Sequence, residues 1–264
     1  MEVKAANPEK VPREFQRFDI HQRIQHIIMF STFIMLSITG LAIKFWKVAL
    51  APKVMVFFGG FDNLFMVHVI SGWTMVAGCI YHLIWMAVRA CQRKLGWAIL
   101  PGPKDIKDVV DTLNFYTGRA DQPPRYDRYS YKEKFDYWAV FWGMFVIGGS
   151  GVFMTFPEWG MALFPRWILD IWQVGHSDEA VLAIVFIFAI HFYNVHFCPD
   201  FFPGSMVWWT GRMSKKVMEH EHPAELDRIL KDYEKNGYPP EPYAPGQSKG
   251  TPRYKDTEVV YIEE

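Results

Sequence analysis

The chain has 264 residues, half of them hydrophobic and 17% aromatic, with 28 Lys plus Arg against 28 Asp plus Glu. A balanced charge gives no argument for nucleic acid, and the charges leave four stretches nearly bare, which excludes an ordinary soluble globule and disorder over most of the length. Cys79, Cys91 and Cys198 make no disulfide framework and no Cys-x-x-Cys site, and no Cys-x-x-Cys-His is present for covalent c-type haem.

The first segment, 1–23, is polar, with five charged residues before Glu14. It lacks a short apolar core with a small-residue cleavage site, so no cleaved signal peptide is expected. Four apolar runs follow, at about 24–45, 64–88, 137–156 and 180–202. Each is long enough for a bilayer core of roughly 30 Å, which needs about 20 helical residues. The fold class predicted is therefore all-α: an integral membrane four-helix bundle over 24–202, with a tail at 203–264. Shorter stretches at 48–61 and 159–172, broken by Pro or Gly and rich in Trp and Phe, read as interfacial helices. In the tail, 222–233 has the pattern of a short amphipathic helix. The Pro-rich run Pro239, Pro240, Pro242 and Pro245 reads as extended chain lying on a partner, or as disorder.

Lys and Arg set the orientation. The N-terminal segment carries five, the 89–134 loop ten and the tail nine, whereas the connections at 46–62 and 158–177 carry two and one. The positive-inside rule places both termini and the long loop in the cytoplasm, and a cell's inner (cytoplasmic) membrane is the expected location.

Seven of the nine histidines lie in or at the edges of the apolar runs. Ionisable groups at that depth are costly and point to function. His68 and His82 are about 21 Å apart along one helix and about 40° apart around it; His176 and His191 are about 22 Å and 60° apart. Each helix thus offers a His near either membrane surface. Neutral imidazole is a haem ligand, and two facing helices can supply an axial pair; a zinc site would need its ligands clustered. His26 and His196 add two more near the cytoplasmic end. Gly40, Gly72, Gly78, Gly148, Gly149 and Gly151 suit either the approach of a planar ring or close helix packing.

Taken together, Arg23-x-x-His26 with Thr39-Gly40, His68-x-x-x-Gly72, His176, His191-Phe-Tyr and His220-Glu-His222-Pro223 resemble the b-type cytochrome subunits of membrane formate dehydrogenases and nickel-iron hydrogenases. Glu133-Lys-Phe-Asp-Tyr-Trp138 and His191-Phe-Tyr-Asn-Val-His196 are similar to cytochrome b subunits found beside multihaem c-type cytochromes in anaerobic respiration. The resemblance covers roughly residues 13–230. It implies two b-type haems, an outer one on His68 and His176 and an inner one on His26 and His191. Three departures stand out. The fourth-helix spacing is 15 rather than 14, His82 replaces an apolar residue, and His196 is extra. His82 is thus an alternative inner ligand, and His82 with His196 leaves scope for a third haem.

The resulting expectation is an electron-transfer subunit working between menaquinone or ubiquinone and an iron–sulfur or multihaem cytochrome c partner. No dinucleotide, phosphate-loop, zincin or cysteine-cluster motif is present, so substrate chemistry falls to another polypeptide. The alternative is a non-redox membrane anchor or a metal- or proton-handling transporter. A quinone site needs a proton-exchanging group beside its electron carrier. The candidates are Arg17, Asp19, His21, Glu133, Asp136 and Tyr137, foremost His21 and Asp136. Asp62, Glu158 and Asp170 lie at the other edge.

Overall fold

The computed structural model describes residues 11–198, 202, 204–237, 252–254 and 259–261. The Pro-rich run of the tail lies outside the described residues. In chain order the elements are β1 (Glu14–Gln16), α1 (Ile20–Lys44), α2 (Leu50–Phe57), α3 (Phe61–Cys91), a 3-10 turn (Trp97–Ile99), α4 (Pro103–Tyr116), α5 (Tyr131–Thr155), α6 (Pro157–Leu163) and α7 (Arg166–Phe197). After them come α8 (Val207–Thr210), β2 (Arg212–Ser214), α9 (Lys215–Glu221) and α10 (Pro223–Asn236). A short antiparallel ladder joins β3 (Pro252–Tyr254) to β4 (Val259–Tyr261). The fold is all-α, and among the described residues α1, α3, α5 and α7 are the four helices long and apolar enough to cross a membrane.

The chain divides into two compact units, one of residues 21–86 and 137–205, the other of residues 1–20, 87–136 and 206–264. The first holds the bundle. Its burial pattern is inverted relative to a water-soluble protein. Small polar side chains are buried, among them Thr32, Ser37 and Thr39 on α1, Ser71 on α3 and Ser150 on α5. Bulky apolar ones face outward, such as Ile34, Phe65, Ile80, Trp142, Phe145, Leu182 and Val185. In water such a surface would drive association; against hydrocarbon it is the solvated face. Polar hydroxyls inside must find partners within the protein. Thr32, Ser37 and Thr39 donate to the carbonyls of Ile28, Phe33 and Met35 at 2.7, 2.7 and 2.8 Å.

Two local features position the site. Gly59 and Gly60, at φ +83° and +112°, turn the chain from α2 into α3 in a conformation closed to other residues. Pro165 precedes the first turn of α7, so that helix starts at Arg166, well before the expected 180. Part of the stretch expected to be interfacial is therefore continuous with the fourth spanning helix. Three segments wind as π-helix: Met144–Gly148 in α5, and Ile187–His191 and Tyr193–Phe197 in α7.

In the second unit β1 and β2 pair antiparallel, Phe15 opposite Met213. The helix expected at 222–233 forms as α10 and buries Leu226, Ile229 and Tyr233, spaced on one face, against Val11, Phe15 and Met218. Each such buried side chain contributes about 1.5–3 kcal/mol.

Candidate functional site

His68 on α3 and His176 on α7 meet with ring centres 6.3 Å apart and planes 70° apart. Each ring is held by Nδ1. The Thr39 hydroxyl already donates to Met35, so its oxygen accepts from His68 Nδ1–H at 2.9 Å. His176 Nδ1–H donates to the Ile147 carbonyl at 2.9 Å, with Ser150 Oγ 3.2 Å away. Ile147 lies in the π-helical segment of α5. There the i→i+5 pattern withdraws carbonyls from the usual ladder and frees them for other donors. With Nδ1 protonated on both rings, Nε2 carries the lone pair.

Glycines sit against both rings. A Cβ at Gly40 would lie 3.3 Å from His68 Cε1, and one at Gly151 would lie 3.2 Å from His176 Cε1. The ring spacing suits an iron. Two imidazoles binding one metal from opposite sides, each at about 2 Å, hold their ring centres about 6 Å apart. No group of three or more His, Cys, Asp or Glu comes together as a metal site among the described residues. A metal between these two rings would find no third such ligand among the described residues, and a haem macrocycle would supply the other four. Ser177 and Asp178, the neighbours of His176, are engaged instead by Lys44 of α1, whose Nζ donates to them at 2.8 and 2.5 Å.

At the second level, His26 on α1 lies within electrostatic range of His191 and His196. Phe30 packs on His26 at 5.8 Å and Phe192 on His196 at 4.5 Å. His196 also rests on the backbone of Gly204, at φ +141°, where any Cβ would collide with its ring. His82 is placed differently. Its Nδ1 bonds Gln25 Oε1 at 2.9 Å and its Nε2 bonds the Tyr137 hydroxyl at 3.0 Å.

Among the quinone candidates, exposed His21 bonds the Tyr81 hydroxyl through Nδ1 at 2.6 Å. Asp136 is half-buried, and Tyr137 is the partner of His82. Asp19 pairs with Arg89 at 4.0 Å. Glu133 accepts from the Ser130 backbone N–H at 2.7 Å and caps the start of α5. Arg17 is 4% exposed and committed to Glu225, which is 0% exposed. Asp62, Glu158 and Asp170 are exposed.

The Arg17 cluster was not legible in the sequence. Glu225 accepts from Arg17 on one oxygen and from Arg128 Nη1 at 3.0 Å on the other. Each arginine also donates to the other's carbonyl at 2.7 Å. His222 Nδ1–H donates to the Asp127 carbonyl at 2.8 Å, and its Nε2 accepts from Arg17 at 3.2 Å, which fixes it neutral. Burial, then the Arg17 charge, holds His222 below the usual histidine range. Burial alone would raise the Glu225 carboxyl, but Arg17 and Arg128 outweigh it and hold the group below its ordinary value.

Compared with known proteins, the chain finds no match among curated sequences. The family described as prokaryotic cytochrome b561 matches it over residues 17–198, which takes in all four spanning helices and the six membrane histidines from His26 to His196. By that match, and with four helices of the right kind, the chain belongs to the prokaryotic cytochrome b561 family, membrane b-type cytochromes that act in electron transfer.

Proposed function

We propose that this cytochrome carries electrons through two b-type haems between a quinone in the bilayer, menaquinone or ubiquinone, and a partner redox subunit. The observation that carries the reading is the His68–His176 pair: ring centres at haem-ligand spacing, with both Nδ1 protons fixed and both Nε2 atoms left for a metal. A bound b-type haem supplies reversible one-electron iron chemistry. Thr39 and the Ile147 carbonyl orient the two ligands and raise their basicity. His26 and His191 are the proposed second pair. The π-helical turn Ile187–His191 supports that choice, because such a turn absorbs the one residue by which this helix exceeds the 14-residue spacing of the subunits it resembles. A third haem through His82 and His196 would have to displace the Tyr137 hydroxyl from His82 Nε2, so two is the number proposed.

His21 and Asp136 are proposed as proton-exchanging groups for the quinone. The termini and the 89–134 loop are proposed to face the cytoplasm from the inner membrane, as the Lys and Arg distribution favours. Partner candidates are an iron–sulfur subunit or a multihaem cytochrome c, which would hold the substrate-specific chemistry. The test is a visible spectrum of the purified protein with haem quantitation, followed by addition of a quinol. The expected result is two b-type haems per chain, both reducible by dithionite and at least one by quinol. A colourless protein, or haems that no quinol reduces or oxidises, overturns the reading.

A further inference from the structure

Three helices of the bundle are bridged by a line of exchangeable protons. Gln25 on α1, His82 on α3 and Tyr137 on α5 are joined at 2.9 and 3.0 Å, and the Tyr137 hydroxyl also lies 3.3 Å from Met86 Sδ. One turn earlier on α1, exposed His21 bonds Tyr81, the residue before His82, at 2.6 Å. A neutral imidazole has one N–H. The Gln25 amide presents its oxygen, which only accepts, so the proton of His82 sits on Nδ1. Nε2 is then the basic nitrogen, and the Tyr137 O–H is its donor. A base with a hydroxyl in front and a carbonyl behind is arranged to hold a proton when one arrives. A haem ligand must instead keep a lone pair free, and His82 uses both nitrogens. Among the described residues, the groups bonded to or packed on the ring include neutral Gln25 from α1, Tyr137 from α5 and, on α3 itself, Trp85 with ring centres 6.1 Å apart.

We propose that Tyr137 and His82 are the proton relay of the quinone site, with Gln25 as the residue that positions His82. This rests on the quinone reading above. When quinol is oxidised, a quinol O–H bond breaks as its proton passes to the Tyr137 oxygen. The original Tyr137 O–H breaks as its own proton passes to His82 Nε2. Gln25 Oε1 steadies the resulting imidazolium, which then gives up its Nδ1 proton towards the exposed His21–Tyr81 pair and water, and exchange with water moves the remaining proton from Nε2 back to Nδ1 before the next pass. A b-type haem held by His26 and His191 would be the one-electron oxidant that takes each electron. Two passes release two protons and two electrons and leave quinone; reduction runs the same transfers backwards.

The test uses the full-length protein in membranes, with His82→Gln, Tyr137→Phe and Gln25→Leu, and three readouts: haem per chain, the dithionite-reduced spectrum, and the rate of haem reduction by quinol in H2O and D2O. Expected are full haem content and normal dithionite spectra in all three variants. Quinol-driven reduction slows at least about tenfold in His82→Gln and Tyr137→Phe, the scale of a lost acid–base group, and the wild-type solvent isotope effect changes in size. Gln25→Leu shifts the pH profile of that rate. Loss of haem in His82→Gln makes His82 a ligand and overturns the proposal. So do wild-type rates in both His82→Gln and Tyr137→Phe. If His82→Gln does not assemble, Tyr137→Phe decides alone, since it deletes one hydroxyl and keeps the ring. A wild-type protein that exchanges no electrons with any quinol is a different failure, that of the quinone reading itself.

Discussion

A histidine that is to bind iron must keep one nitrogen occupied by the protein and the other open. His68 and His176 meet that condition, and His82 does not. His68→Ala and His176→Ala should therefore each remove about one haem per chain and leave the other haem's spectrum in place. Full haem content in both variants, measured by extraction, would sink the pairing. The glycines refine the same prediction. Gly151→Ala brings a methyl group to 3.2 Å from His176, a contact that a shift of a few tenths of an ångström relieves. Gly151→Leu has no such escape and should empty this site while sparing the other. The sequence displayed the histidines, their depth and the Thr39-Gly40 pair. It did not display what holds each Nδ1, because a backbone carbonyl such as that of Ile147 has no signature in residue type.

At the scale of the helix, regular geometry was the wrong ruler for α7. A spacing of 15 at 100° per residue turns His191 away from the face that a spacing of 14 would give it. On the proposed pairing of His191, the π-helical segment Ile187–His191 takes in the extra residue. Deletion of Ala189 should thus convert the segment to ordinary helix and leave haem content at the wild-type value. In a regular helix the same deletion would rotate His191 by about 100° and cost a haem, so haem loss would refute this account of the spacing. Outside the bundle, α10 is held by charges that its amphipathic pattern did not reveal. Glu225→Gln leaves Arg17 and Arg128 with less than their counter-charge in a buried setting and should cost about 3–5 kcal/mol, seen as faster proteolysis of the 206–237 segment. The same unit should weaken in mild acid. Unfolded histidine takes up its proton near pH 6.5, whereas folded His222 does so at lower pH. Below about 6.5 the unfolded state binds more protons, so stability falls with pH until the folded value is passed. Glu225, also depressed, adds a further loss below about pH 4.3. Protection factors of the α10 amides at pH 7.5 and 5.5, corrected for the base-catalysed intrinsic rate, measure the first of these losses, and lower protection at 7.5 would reverse the sign.

For the whole molecule, the four spans were legible because a bilayer demands long uncharged runs, and little else in 264 residues meets that demand. Less legible was the joining of the segments before α1 and after α7. β1 pairs with β2, and Val11 and Phe15 share a core with α10; such pairing between distant, weakly patterned stretches leaves no periodic trace. The buried Arg17 is a consequence: it read as a quinone candidate by its position beside the first helix, whereas its guanidinium is spent on Glu225. Orientation is the property on which the sequence speaks and the fold does not. Lys and Arg number five before the first span, ten in the 89–134 loop and nine after the last, against two and one in the short connections. At up to about 2.5–3.5 kcal/mol for each cation driven into hydrocarbon, that imbalance favours one topology. Reporter fusions after Arg119 and at the C-terminus should read as cytoplasmic, and one after Trp159 as external. A C-terminal reporter on the outside would reverse the orientation. It would also move His21, Tyr81 and the relay behind them to the other water phase, so that quinol oxidation would release its protons outside.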